Sequence, residues 1–223
     1  MYRILSWLLH YPEPDLLEQT ARAVMGPAAA DDAAAPDSVA PRAHDAARDE
    51  AVEQFLAWAG SRPLVDLQAA YTNTFDFSGE HSLHLTYHLL GNLRDRGRAL
   101  AELKLRYGEA GYLIEGGELP DYLPLLLEFA AEAPTPGVAL LQEFRAPIEV
   151  LHRRLVQAEN PYGLLLRALS RSLPAPGPDV ETDVGRMLLA PPPDETSGID
   201  PETAAAPIVP AAGPSCGRSV APW

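Results

Sequence analysis

Three histidines close together are the strongest candidates for chemistry in this sequence. His81, His84 and His88, in the segment HSLHLTYH, are three and four residues apart, a spacing that places side chains on one face of a helix. Imidazoles one helical turn apart can share a zinc ion. The pattern is incomplete, because Leu85 stands where a metalloprotease helix has its glutamate and no further ligand is fixed by spacing. We therefore predict no metal site, and a metal-dependent helical enzyme is the lesser alternative.

No other segment supplies a catalytic centre. The glycines of GEAGYLIEGGE lack the GKS or GKT ending of a phosphate-binding loop, and no G-x-S-x-G motif positions a serine nucleophile. The single cysteine, Cys216, lies in a proline-rich region where no scaffold would hold a base against it. The sequence therefore offers no clear catalytic residue, and we expect no cofactor.

The segment ELPDYLPLLLEF, residues 118–129, has an unusual beginning for a core helix. Asp121 suits the N-cap position, because its carboxylate can accept free N–H groups of the first turn and its charge suits the helix dipole. Pro124 then falls in the first turn, where its missing N–H costs little, and Pro120 stiffens the approach. The pattern predicts a rigid corner, which either binds a partner peptide or is only a well-capped helix. The side chains predicted to face a groove, a loop or solvent are Glu118, Asp121, Tyr122 and Glu128.

Apolar residues recur with helical spacing along much of the chain, so we expect helices to position the candidate groups. One apolar stripe recurs at spacings typical of a bundle helix, and Pro147 within it predicts two segments rather than one. The stripe consists of Leu141, Phe144, Ile148, Leu151 and Leu155. Because no alternating β-type run is present, we predict an all-α bundle of about eight helices. The predicted helices cover residues 2–10, 14–24, 44–60, 64–76, 82–109 with a break at Gly91 and Asn92, 122–133, 137–156 and 161–171.

The predicted folded unit covers residues 1–172 and contains a mobile Ala/Pro/Asp loop at 26–41. The region 173–223 is acidic, rich in proline and poor in large apolar residues, which predicts a disordered tail. Its VGRMLLA segment is hypothesised to form a transient helix that folds back on the groove.

The charge balance limits the possible partners. With 17 basic and 31 acidic residues, the chain has a net charge of −14, which disfavours nucleic acid and favours a basic partner. The single cysteine cannot form an internal disulfide, so we expect a cytoplasmic protein. No run approaches the roughly 18 to 20 apolar residues of a membrane span, so we expect no direct membrane insertion.

One local strip is more basic than the rest of the chain. Arg94, Arg98, Glu102 and Arg106 recur every four residues, so that Glu102 is predicted to pair with both Arg98 and Arg106. A solvated helix face is the simpler interpretation, and a docking patch for an acidic surface is the alternative.

The segment LSWLLHYPEPD and the block from Tyr71 to Ala131, which begins YTNTFDFSGEHSLHLTYH and ends LPDYLPLLLEFAA, closely resemble the NarJ family. This family contains the delta chains, or molybdenum cofactor assembly chaperones, of respiratory nitrate reductases, within the wider TorD-like chaperones. The resemblance implies an all-helical chaperone without catalysis of its own. Its partner would be the N-terminal peptide of the apo catalytic (alpha) subunit, which it would keep competent for cofactor insertion. A permanent structural subunit of a redox complex is the alternative role.

The family's functional segment has the usual form Leu-Pro-Asp-His-Leu-Pro followed by Leu-Glu-Phe. This chain departs from it at Tyr122, where the family commonly has histidine, so a role that needs a titratable imidazole is not carried over. The resemblance implies peptide binding by Glu118, Pro120, Asp121, Tyr122, Leu123, Pro124, Glu128 and Phe129.

Overall fold

The computed structural model describes residues 1–14, 20, 50–77, 79–91, 94–114 and 117–190. These residues contain ten α-helices, one 3-10 turn at Gly79–His81 and no strand, which confirms the predicted all-α class. None of the helices in these ranges is long and apolar enough to span a membrane. In chain order the helices are α1 (Tyr2–Leu9), α2 (Glu50–Gly60), α3 (Leu64–Phe75), α4 (Leu85–Leu90), α5 (Arg94–Glu109), α6 (Leu123–Glu132), α7 (Pro134–Glu143), α8 (Arg145–Gln157), α9 (Gly163–Ser172) and α10 (Pro178–Leu189).

Both of the long predicted helices are divided, one at a glycine and the other just before a proline. The predicted 82–109 helix is divided between α4 and α5 at Gly91, whose φ of 56° lies in the left-handed region that favours glycine. The predicted 137–156 helix is also divided, but at Phe144, which separates α7 from α8. Pro147 is the third residue of α8 and lies in its first turn, where a proline is tolerated. The predicted loop 26–41 and most of the predicted helix 14–24 lie outside the described residues.

The core is built around α6. This helix packs against α1 on one side and α7 on another, while α8 packs against α9, which in turn contacts α2. Leu123, Leu126 and Leu127 of α6 are fully buried, and each buried leucine contributes about 1.5–3 kcal/mol relative to an exposed one. The predicted apolar stripe of Leu141, Phe144, Ile148, Leu151 and Leu155 is buried throughout.

The folded part of the chain extends beyond the predicted boundary at residue 172. Helix α10 packs on α8, with Val184 fully buried in a small cluster that also contains Ala146 and Val150. Glu181 accepts hydrogen bonds from Arg153 at 2.7 and 2.8 Å. The VGRMLLA segment thus belongs to a helix whose main contacts are with α8 rather than with the beginning of α6. Proline content misled the prediction, because Pro178 lies at the first position of α10. Residues 191–223 of the predicted tail lie outside the described residues.

The contact between α6 and α7 is unusually close at Gly137. A Cβ atom at this position would lie 2.7 Å from the backbone nitrogen of Ala130 and would also collide with its Cα atom. Only glycine therefore allows α7 to approach α6 to this distance.

We expect Gly137→Ala to reduce the free energy of unfolding by about 1–3 kcal/mol, because the added methyl group forces the two helices apart. Gly97→Ala is the matched control, since Gly97 is an exposed residue of α5 with open space around its Cα atom. That change should leave stability unaltered or increase it by up to about 1 kcal/mol. Urea unfolding of wild type and both variants measures the free energies of unfolding. A Gly137→Ala protein as stable as Gly97→Ala would contradict the steric role of Gly137.

Candidate functional site

The carboxylate of Asp121 is fully buried and is held by residues from two other parts of the chain. One oxygen accepts the backbone N–H of Thr86 at 3.2 Å and a short hydrogen bond from the Thr86 hydroxyl. The other lies 3.1 Å from Nδ1 of His84. Arg96 donates to the same oxygen as Thr86, at 3.5 Å. Because a buried charge is costly unless it is paired, these donors are needed to keep the carboxylate in the interior.

Main-chain hydrogen bonds join the same two segments. The N–H of Leu85 donates to the carbonyl of Asp121 at 3.0 Å, and the N–H of Leu123 donates to the carbonyl of Leu83 at 2.9 Å. His84 and Tyr122 therefore face each other as an isolated antiparallel bridge pair. The start of α4 and the start of α6 are thus held together.

The predicted capping role of Asp121 is wrong. The N-cap of α6 is Tyr122, and α6 begins at Leu123 without a side-chain capping bond. Asp121 instead binds the N–H groups of Leu85 and Thr86, the first two residues of α4. Its carboxylate therefore caps a neighbouring helix and does not face a groove or solvent.

The surroundings of Asp121 stabilise its charged form. Burial alone raises the pKa of this carboxyl, but hydrogen bonds from His84 and Thr86 and the charge of Arg96 bring it below the ordinary value of 3.8. Arg96 also donates to the Thr86 hydroxyl at 3.1 Å, and its guanidinium lies 5.9 Å from the centre of the Tyr87 ring. The charge is therefore compensated inside the protein.

Tyr122 follows the buried Asp121 in the chain and is itself half-buried. Its hydroxyl is 3.1 Å from the hydroxyl of Tyr71, which itself donates to the carbonyl of Leu9 at 3.1 Å. The ring of Tyr122 is 5.7 Å from that of His10 and 5.3 Å from that of His84. These contacts join α1, α3 and the corner before α6.

We call this region the Tyr122 surface, and it combines aromatic rings with carboxylates. It consists of His10, Tyr11, Tyr71, Glu118, Tyr122 and Glu128. Tyr11 is 44% exposed, and its ring meets that of Tyr71 edge-on at 5.6 Å. Burial lowers the pKa of His10, against the opposing effect of Glu118, Glu128 and Glu13. Neutral rings beside several carboxylates suit an apolar ligand that carries positive charge.

The structure divides the predicted peptide-binding residues into two groups. Glu118, Tyr122 and Glu128 retain exposed surface, although Glu128 accepts a hydrogen bond from Arg3 at 2.9 Å. The buried group consists of Pro120, Asp121, Leu123, Pro124 and Phe129. Within that group, the Phe129 ring packs against Tyr107 of α5, with 4.4 Å between ring centres.

Several residues of the site were not predicted from the sequence. They are His10, Tyr71, Thr86 and Arg96, and each reaches the corner from a segment distant in the chain. No local pattern marks them, because packing of α1, α3, α4 and α5 around α6 creates their contacts.

The three histidines do not share a helical face, contrary to the prediction. His81 lies in the 3-10 turn, His84 is the N-cap of α4, and only His88 lies within that helix. The Nε2 atom of His88 is 2.7 Å from the carbonyl of Ser82, and burial lowers the pKa of His88 to about 4. Within the described ranges, no three metal-ligating side chains come together.

The predicted pairing along the basic strip is also wrong. Arg98 lies 3.9 Å from Asp95, and the two terminal nitrogens of the Arg106 guanidinium each donate to Glu143 of α7 at 2.6 Å. Glu102 therefore does not provide the pairing that the four-residue spacing predicted.

Comparison with known proteins identifies a family. A family model described as the nitrate reductase delta subunit matches residues 42–164. The chain is 38% identical over 106 residues to the nitrate reductase molybdenum cofactor assembly chaperone NarJ of Escherichia coli strain K12. These residues make up 47% of this chain and 45% of that relative. The chain is 38% identical over 104 residues to the probable chaperone of the same name from Bacillus subtilis, covering 46% of this chain and 56% of the relative. A nitrate reductase-like protein, NarX of Mycobacterium tuberculosis, is 39% identical over 103 residues, only 16% of its length. The chain thus spans about half of each chaperone relative and a small part of NarX.

We expect Asp121→Asn to lower the free energy of unfolding by about 3–5 kcal/mol at pH 7, since it leaves the guanidinium of Arg96 without the carboxylate that pairs with it. The folded-state pKa of Asp121 is depressed, so its stabilising contribution is complete above the unfolded value of 3.8 and is lost as pH falls through the folded value. The difference between wild type and variant should therefore shrink below about pH 4. Urea unfolding between pH 3 and pH 7 measures this difference.

Asp95→Asn is the matched control, because Asp95 is 71% exposed and its ion pair with Arg98 is long. It should change stability by less than about 0.5 kcal/mol at any of these pH values. An Asp121→Asn protein as stable as this control would show that the buried carboxylate is unimportant for the fold.

Proposed function

This chain belongs to the nitrate reductase delta subunit family, and from that premise we propose that it is an assembly chaperone for a nitrate reductase. Its relatives in Escherichia coli and Bacillus subtilis are named molybdenum cofactor assembly chaperones, which supports this role. In this proposal the chain binds the catalytic subunit before its cofactor is present and keeps it competent for insertion. The action takes place in the cytoplasm and requires binding and release rather than catalysis.

We further propose that the Tyr122 surface binds the N-terminal peptide of the catalytic subunit. The observation that carries this proposal is the cluster of aromatic rings beside the carboxylates of Glu118 and Glu128, in which His10, Tyr11 and Tyr122 are partly exposed and Tyr71 is buried beneath them. An amphipathic peptide helix would place its apolar face on the rings, as in other helix-in-groove complexes. Its basic residues would lie near the carboxylates, which discriminate against acidic peptides.

Rigidity of the corner supports the same proposal. The backbone beside Tyr122 is held by the bridge to His84 and by the buried carboxylate of Asp121. The Tyr122 hydroxyl is held by Tyr71. A surface that is ordered before binding loses little conformational entropy when the peptide docks, which favours affinity. Asp121 in this proposal positions Tyr122 and does not touch the peptide.

A permanent subunit of the enzyme complex is the second candidate, since the family description itself uses the word subunit. The protein composition of the purified active nitrate reductase separates the two roles. A chaperone is absent from the mature complex, whereas a structural subunit is present in a fixed ratio.

We expect isothermal titration to detect binding of a synthetic N-terminal peptide from the cognate catalytic subunit. Tyr122→Ala should weaken this binding by about tenfold or more, because it removes a ring at the centre of the surface. Tyr122→Phe should weaken it less, because the ring is kept and only the hydrogen bond to Tyr71 is lost.

Leu189→Ala serves as the control, because Leu189 is an exposed apolar residue at the end of α10. It should bind the peptide as wild type does. No detectable peptide binding by the wild-type chain would exclude the peptide-binding proposal, and equal affinity of wild type and Tyr122→Ala would exclude this surface as the site.

A further inference from the structure

Helix α10 is attached to the rest of the protein by a small number of contacts. It lies entirely within the described residues, and Val184 is its one buried side chain. Val184 belongs to a cluster with Ala146 and Val150 that is separate from the main core. A segment with so few buried apolar contacts can detach while the core stays folded. Helix α10 therefore has the properties of a two-state element.

Two consecutive arginines of α8 hold α10 at different points. Arg153 donates to both carboxylate oxygens of Glu181, near the beginning of α10. Arg154 donates to the carbonyl of Met187 at 3.4 Å, in the last turn, where carbonyl groups lack partners within a helix. The positive charge of Arg154 also suits the negative end of the helix dipole. Docking of α10 thus depends on polar contacts as well as on Val184.

Arg154 also contacts a second segment of the protein. Its other terminal nitrogen donates to the carbonyl of Glu80 at 3.2 Å, within the 3-10 turn. Because a guanidinium is planar, its nitrogens are fixed relative to one another. One side chain therefore relates the position of the last turn of α10 to that of the 3-10 turn. Helix α8 itself packs on this turn and on α4.

The 3-10 turn leads directly to the residues that hold the Tyr122 surface. Ser82 follows the turn, and its hydroxyl accepts the N–H of His84 at 3.2 Å. The Ser82 carbonyl lies 2.7 Å from Nε2 of His88, within α4. His84 in turn binds the buried carboxylate of Asp121, the residue before Tyr122. A continuous series of contacts thus joins α10 to the corner that carries Tyr122.

We propose that Arg154 is a positioning residue for the Tyr122 surface, and that docking of α10 gives this surface its high affinity for the peptide. The inference rests on the proposed function, because peptide binding is the property that α10 regulates. With α10 docked, the Arg154 guanidinium is held at Met187 and keeps the 3-10 turn in place. With α10 released, the guanidinium loses one partner and holds the turn less firmly. The surface is then less ordered before binding, so that more conformational entropy is lost when the peptide docks.

The first test is isothermal titration of full-length variants with the synthetic N-terminal peptide of the cognate catalytic subunit. Val184→Asp places a charge in the small apolar cluster and so releases α10. Arg154→Ala removes the link itself. We expect each change to weaken peptide binding by about tenfold.

Each variant has a matched control. Thr182→Asp adds the same charge to α10 at an exposed position. Arg98→Ala removes an arginine whose side chain is 86% exposed on α5. Both controls should bind the peptide as wild type does. Arg154→Ala combined with Val184→Asp should bind it as each single variant does, since the two changes break the same link.

Hydrogen exchange provides a measurement that a purely structural role of Arg154 would not change. Since docked α10 raises peptide affinity in this proposal, the peptide stabilises docked α10 by the same factor. Saturating peptide should therefore slow amide exchange in α10 of the wild type by about tenfold. In Arg154→Ala the peptide should leave exchange in α10 unchanged.

Two results would overturn the inference and leave the proposed function intact. One is wild-type peptide affinity in both Val184→Asp and Arg154→Ala. The other is α10 exchange in the wild type that the peptide does not slow, and this result decides the matter even where a variant fails to fold. A wild-type chain that binds no peptide would show that the proposed peptide site is wrong, and the inference would be wrong with it.

Discussion

Burial of the Asp121 carboxylate is the constraint on which the rest of this structure depends. A fully buried charge is stable only when donors surround it, and here they come from His84, Thr86 and Arg96. Those residues lie at the start of α4 and in the first turn of α5. The carboxylate consequently ties the beginning of the central helix α6 to two other helices. Main-chain hydrogen bonds from the N–H of Leu85 to the carbonyl of Asp121 and from the N–H of Leu123 to the carbonyl of Leu83 complete the same connection.

Because α6 is fixed at its beginning, the groups along it are presented in defined places. Tyr122 stands at its N-cap, where α1 and α3 supply His10 and Tyr71. Phe129, two turns later, contacts α5 and forms part of a separate cleft. One helix thus contributes to two separate surfaces.

Local patterns predicted the helices well and the contacts poorly. The stripe from Leu141 to Leu155 revealed a buried face, because apolar spacing reports directly on which side of a helix meets the core. The same local reasoning assigned Asp121 to its own helix, where a carboxylate normally caps. Its true partners lie at least 25 residues away in the chain. Helix α10 was missed because the prolines of the region 173–223 were counted without regard to position, although Pro178 occupies a favourable first-turn site.

The sequence by itself determined the all-α class, the positions of most helices and the family segment around Asp121 and Tyr122. These properties follow from periodicity, from backbone restrictions at proline and glycine, and from an ordered block of residues, all of which are local. Only the tertiary structure decided that Asp121 is buried, that Tyr122 meets His10 and Tyr71, and that Phe129 contributes to a different surface from Tyr122. These contacts depend on how α1, α3, α4 and α5 pack around α6. Packing of this kind joins residues far apart in the chain, and no spacing within one helix encodes it.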